Sequence, residues 1–380
     1  MTPDRILQRT GMAARLMAAA GPSRKASALR FAAARIREQA VELETAARLD
    51  RRPFSADTAA RLADGIERLA ETPDPVGRIS AGGRRTDGQL WETVRAPLGA
   101  VGVLAGGDPT QVIRFSALLA AGGNAALFGA EPQADRAAAL VIDLFRRALL
   151  EAGLPADALS SLPAEDAGRL LTSPVIRRLA VCPGAALTAE ALSGCVPPCI
   201  VLSNPVTHLY AAADADPEAV AELSVTAVAA AMPLHTLLLH REAAAAVLPP
   251  LTARAERAGL ALLGDETLCR EQGFAAAENW CVPAPGRLCV RLVDSQNEAL
   301  ARIQLCGSGH LAGIVTRDYR AAQRFAAAAD TAVVTVNTLP IWPADDALCP
   351  GIAAGADRSP ISAETFMTDK WILSGSGQAF

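Results

Sequence analysis

LGAVGVLAGGDPTQVIRFSALLAAGGNAALFG, residues 98–129, holds one complete cycle of a repeating pattern. A short apolar run, LGAVGVLAG, is followed by a glycine-rich turn, an amphipathic segment over 109–122 and a second apolar run, NAALFG. A further amphipathic segment spans 132–152. Alternation of this kind marks βαβ units and predicts a parallel sheet. Outward from it, similar runs recur at IRRLAVC, CIVLSN, THLYAAA, HTLLLH, LCVRLV, LAGIVT and TAVVTVN, most with a helix-like segment between them. The expected class is α/β.

The 380 residues exceed one small core and suit two α/β domains. Hydrophobic residues reach 51% but aromatic ones only 4%, so the cores must be built from small aliphatic side chains. Residues 2–72 read as helices, with Thr2 before Pro3, Ser23 and Ser55 as N-cap candidates. From Ser23 the positions Leu29, Ala33, Ile36, Ala40 and Leu43 share one helical face. The segment 217–231 reads as a helix joining two series of βα units, and the tail KWILSGSGQAF as a strand.

A formal net charge of −4 supplies no basic field for nucleic acid, and no Lys/Arg stripe is interleaved with aromatics. Charges interrupt the N-terminal apolar stretch, which therefore lacks the core of a secretory signal. The best uncharged run, 223–239, contains Pro233 and His235 and falls short of the ~20 residues of a membrane span. A cytoplasmic chain without nucleic-acid or membrane partners is expected. The eight cysteines, at 182, 195, 199, 269, 281, 289, 306 and 349, show no C-x-x-C spacing, so neither a metal site nor a disulfide framework is expected.

Nine segments in order resemble the γ-glutamyl phosphate reductase (glutamate-5-semialdehyde dehydrogenase) family of the aldehyde dehydrogenase superfamily. They are DPVGRI (74–79), VRAPLGAVGV (94–103), GGNAALFG (122–129), EAGLPADAL (151–159), HLY (208–210), HTLLLHREAAAAVLPPL (235–251), GSGHLAGIVTRDYRAAQRF (307–325), AVVTVN (332–337) and TDKW (368–371). The resemblance implies two parallel-sheet domains plus a small oligomerisation flap. It places a nucleotide-binding-like domain over 1–225, with a flap strand over 84–96. A catalytic-like domain over 226–355 follows, then a C-terminal helix and oligomerisation strand over 356–380. The implied reaction is NADPH-dependent reduction of L-glutamyl 5-phosphate to glutamate 5-semialdehyde, a step of proline biosynthesis, through a cysteine thioester.

Against that pattern the chain departs in five places. The family's Arg-Pro-Ser-Thr-Cys-Asn loop precedes the strand matching LLLH, and the alignment leaves Ala231 or Met232 at the cysteine. Neither is a nucleophile. Thr110, after Pro109, stands where the family has an oxyanion-holding Asn, a donor whose loss typically costs ~3 kcal/mol of transition-state stabilisation. Phe128-Gly129-Ala130-Glu131 replaces Arg-Gly-Gly-Lys in the implied NADP pocket, which sets the Glu131 carboxylate against phosphate. Cys182-Pro183-Gly184 replaces an Arg-Gly-Gly turn, where Gly184 keeps only the turn glycine. Finally, the segment between Asn337 and TDKW is short, and ADRSP (356–360) is its remnant.

Cys199 is the nearest substitute thiol, and His235 reads as a structural residue opening a strand. Three functions stay open: a catalytically degenerate homologue retained as a scaffold, an active acyl-processing enzyme with another nucleophile, or a small-molecule or nucleotide binding module. As a scaffold the chain would form a homo-oligomer, or a hetero-oligomer with a related reductase or kinase.

Overall fold

The computed structural model describes residues 2–86, 88–130, 136–185, 189–202, 206–228, 234–281, 286–341, 348–351, 353–354 and 359–375. The chain forms two compact units. One comprises residues 1–202, 345–351 and 361–380, the other 203–344 and 352–360.

The first unit opens with four helices, α1 (Pro3–Ala18), α2 (Pro22–Glu38), α3 (Ala40–Leu49) and α4 (Ala56–Glu71). Strands β1 (Ile79–Arg84), β2 (Leu90–Pro97) and β3 (Ala100–Leu104) precede α5 (Pro109–Ala121). Then come β4 (Ala125–Gly129), α6 (Arg136–Glu151), β5 (Leu159–Leu162), α7 (Arg169–Thr172), β6 (Ile176–Val181), α8 (Ala189–Ser193) and β7 (Cys199–Leu202). Parallel strands run in the order β7-β6-β3-β4-β5, so the chain moves outward from β3 through β4 to β5 and crosses back to β6. Every residue of β3 and β4 is buried, as continuous apolar runs should be in a sheet covered on both faces.

The second unit is built from β8 (Thr207–Ala211), α9 (Pro217–Val228), β9 (Leu234–His240), α10 (Arg241–Arg257), β10 (Ala261–Gly264), α11 (Glu266–Gln272) and β11 (Ala275–Ala276). It continues with β12 (Arg287–Val293), α12 (Gln296–Cys306), β13 (Leu311–Val315), α13 (Tyr319–Ala328), β14 (Val333–Val336) and the two-residue β15 (Ala353–Ala354). Its parallel sheet has the order β11-β10-β12-β9-β8-β13-β14. On one face Tyr210, Leu238 and Ile314 meet Ile303 of α12 and Phe325 of α13, with Tyr210 stacked on Phe325 at 6.1 Å. The chain then returns to the first unit with β16 (Met367–Ser374).

β1, β2 and β16 make a separate antiparallel sheet in the order β1-β2-β16. The flap segment expected as one strand over 84–96 is therefore most of a hairpin, with a turn between Arg85 and Gln89 in which Gly88 takes φ +87°. The terminal strand begins earlier than expected, at Met367, because residues 367–374 all pair with β2. Trp91 and Trp371 stack at 5.1 Å across these two strands. The long N-terminal helix also differs from expectation: it breaks at Gln39, with φ −107° and ψ 19°. Its cap is Gly21 rather than Ser23, because Pro22 occupies the first helical position, where a missing N–H costs nothing. Ser55 does cap α4, accepting from the N–H of Thr58 at 3.1 Å.

The flap is tied to the parallel sheet by Asn124. Its Nδ2 donates to the carbonyl of Phe366 at 2.9 Å, and its Oδ1 accepts from Gly99 N–H at 2.9 Å, with the side chain buried. Asn124→Ala removes both bonds: the Gly99 N–H loses its partner, and the Phe366 carbonyl keeps only Leu98 N–H. The expected loss is about 2 kcal/mol, seen as a melting temperature lowered by roughly 4–8 °C, with hydrogen exchange rising first in residues 366–374.

Candidate active site

The carboxyl ends of the first unit's strands gather most of the residues singled out from the sequence. β3 runs into Gly106 and Gly107, at φ +64° and +71°, which turn the chain into α5. Asp108 caps that helix by accepting from Thr110 N–H at 2.8 Å, and Pro109 is buried at its first position. Thr110 thus sits half-buried in the first turn with its N–H already engaged. What it has to offer is a hydroxyl.

Beside β3, the chain leaves β6 in a turn where Ala185 N–H donates to Cys182 O and Gly184 takes φ +84°. This is the topological switch point of the sheet, where ligands of open α/β folds sit. Loop and turn are in close contact there: a Cβ on Gly106 would stand 2.6 Å from the carbonyl oxygen of Pro183. One strand over, Phe128 is a core residue, 2% exposed. Gly129 is required for packing, since its Cβ would meet Leu104 Cδ2 at 2.5 Å.

The structure therefore brings Pro109, Thr110, Phe128, Gly129 and Gly184 to one edge. They contribute a proline ring, a hydroxyl, a buried phenyl ring and two glycines, and none is a cation. For an anion this set offers the Thr110 hydroxyl and the backbone N–H groups of the glycine turns, with no charged side chain of its own. Cys199 lies elsewhere. It opens β7 opposite Leu179, three residues before Cys182 on β6, and so about 10 Å back along the strand direction. Its Sγ and that of Cys195 both donate to Pro197 O at 3.4 Å. Burial, then the neighbouring Cys199, pushes the Cys195 thiol up to about 12, and burial pushes Cys182 far above the ordinary thiol range. Ala231, Met232 and Glu131 lie outside the described residues.

No protein-family model matches the chain. It is 30% identical to the γ-glutamyl phosphate reductase of Rhodospirillum rubrum, over 98% of this chain and 95% of that protein. It is 33% identical to the enzyme of the same name from Methylocella silvestris, over 96% of this chain and 93% of that protein. The chain belongs to the γ-glutamyl phosphate reductase family. Among solved structures, the γ-glutamyl phosphate reductase of Thermotoga maritima superposes with a TM-score of 0.85 at 19% identity, covering 99% of each chain. An acetylating aldehyde dehydrogenase from Geobacillus thermoglucosidasius gives 0.75 at 15% identity, covering 99% of this chain and 97% of that one. The fold is that of the aldehyde dehydrogenases, two parallel-sheet α/β units with the flap β1-β2-β16.

Outside the set read from the sequence, the second unit of this reductase homologue holds a cavity of about 390 Å³. His208, Thr236 and Arg291 come to it from three neighbouring strands, Arg302 and Cys306 from α12, and Trp280 from the segment before β12. The available signal was Arg291, a charge set within the apolar run LCVRLV. His235 is a buried structural residue, as its position at the strand start implies, with Nδ1 2.9 Å from Thr236 Oγ1. Among the described residues no group of three or more His, Cys, Asp or Glu is placed to hold a metal ion, and no helix is long and apolar enough to cross a membrane.

His208 is 2% exposed, and burial, with a smaller contribution from His235, pushes its pKa down to about 4. A depressed folded pKa means that the unfolded chain takes up the proton first. The stability His208 permits is whole above about pH 6.5 and is lost as the pH falls through 4. Urea unfolding at pH 7.5 and pH 4 should differ by about 3 kcal/mol from this residue, and His208→Gln should flatten that part of the dependence.

Proposed function

We propose that this member of the γ-glutamyl phosphate reductase family has lost thiolate acyl transfer and is retained as an oligomer-forming scaffold or partner subunit. The reading is carried by the resemblance, which sets Ala231 or Met232 at the family's cysteine; neither side chain can form a thioester. The surroundings support it. Thr110 replaces the oxyanion-holding amide, and its N–H is engaged by Asp108. Cys182, Cys195, Cys289 and Cys306 all have thiols pushed upward, in each case chiefly by burial, which disfavours the nucleophilic thiolate. NADP binds weakly or not at all, since Glu131 and the Cys182-Pro183-Gly184 turn remove cations from the implied phosphate contacts.

The purified chain is expected to show no NADPH-linked reduction of L-glutamyl 5-phosphate, and no oxidation of glutamate 5-semialdehyde with phosphate. Ala231→Cys should not restore either, because a thiol without an orienting loop and an oxyanion donor lacks the positioning that catalysis needs. Turnover within about tenfold of an intact reductase assayed alongside would overturn the reading.

The flap supplies the retained surface. β16 is an edge strand whose Trp371, Ile372 and Leu373 are exposed; its charges, Asp369 and Lys370, lie in its first half, and its second half, 371–374, has no charge or proline to blunt it. Pairing with a second copy, or with a complete reductase or the kinase that supplies its substrate, satisfies that edge. Truncation after Lys370 should convert an oligomer into monomer or aggregate while each unit keeps its helical circular dichroism. Light scattering that finds a monomer both before and after truncation, with no capture of a reductase or kinase, is the contrary result.

A further inference from the structure

The cavity of the second unit carries a separate reading, independent of whether acyl transfer survives. Its floor is the face of the sheet where β8, β9 and β12 lie side by side, and α12 forms its wall. Two guanidiniums, of Arg291 and Arg302, line it, and neither has a carboxylate partner among the described residues. Arg291 is held by the face of Trp280, its central carbon 5.3 Å from the ring centroid, while its Nε is buried and makes no hydrogen bond. His208 is 2% exposed and its Nδ1 is likewise buried without a partner. Those two atoms are sealed from the cavity, so what faces it for a ligand is the pair of guanidinium forks on Arg291 and Arg302. Among the described residues Glu278 is the one carboxylate of the lining, set against two guanidiniums.

We propose that this cavity is a binding site for a small organic anion, a carboxylate or phosphate, held by Arg291 and Arg302. The planar fork of a guanidinium matches both oxyanion types. Leu238 and Leu305 give the ligand's carbon chain an apolar surface, and the volume suits a molecule of metabolite size rather than a dinucleotide. Cys281 and Cys306, adjacent to each other at the same cavity, provide a reporter of occupancy.

Titration calorimetry of the full chain with glutarate and with inorganic phosphate, at ionic strength fixed with sodium chloride, tests the site. Saturable binding of either is expected, and the preferred probe distinguishes a carboxylate from a phosphate site. Arg302→Leu should weaken it at least about tenfold, and Arg302→Lys less. Saturating ligand should also slow alkylation of Cys281 and Cys306 by iodoacetamide, read by peptide mass, while leaving Cys269 on α11 unaffected. This arm needs no variant and does not depend on a substituted chain folding. The proposal fails if neither probe binds saturably, if occupancy leaves both thiols equally reactive, or if folded Arg302→Leu and Arg291→Leu chains bind as the unaltered chain does.

Discussion

A single primary amide holds together parts of the first unit that are far apart in the chain. Asn124 stands between α5 and β4, accepts from the residue that leads into β3, and donates to the residue before β16. The carbonyl of Phe366 receives a second bond from Leu98 N–H at 3.2 Å, so the entry to the parallel sheet and the entry to the flap share one acceptor. The Phe366 ring is fully buried, edge-on to Phe115 of α5 at 5.9 Å. Apolar burial brings the terminal segment in, and the directional bonds fix its register.

Charges extend the same attachment. Arg95 on β2 donates to Asp369 on β16 at 3.0 Å and to Glu364 O at 2.9 Å, and Arg178 on β6 reaches Thr365 O at 2.8 Å. At the same open end of the hairpin, Asp74 of DPVGRI meets Lys25 of α2, a lysine only 3% exposed, and also accepts from Val76 N–H. A lysine so buried requires its carboxylate, since removing one partner of a buried pair leaves an uncompensated charge. DPVGRI is thus an anchor, and the flap is braced at its base on both the β1 and the β16 side. The corner around Gly106, Phe128 and Gly129 is intolerant of substitution for steric reasons.

The parallel sheets were legible because burial on both faces leaves an unbroken apolar run: β3, β4, β6 and β13 lie within runs read from the sequence, and β9 and β12 begin one residue before theirs. β1 was not. ISAGGR is exposed at every position and has two glycines, so it carries no periodic signal and is a strand only because β2 pairs with it. The break at Gln39 was hidden for the opposite reason, since the apolar face continues through it to Leu43. For the site, glycines and prolines at strand ends announced the turns correctly. The cavity lined by His208, Arg291 and Arg302 arises from three strands and a helix spread over a long stretch of sequence, and no local spacing encodes such a meeting.

The flap also imposes an order in time. Arg95 and its partner Asp369 are 274 residues apart, with the whole second unit encoded between them. At about 5–20 residues per second, β2 leaves the ribosome roughly 14–55 seconds before the strand that covers its far edge. Through that interval the nascent chain carries an open β-edge with Trp91 beside it. Any partner able to pair with β2 competes with the chain's own last residues, and the competition ends only when β16 arrives.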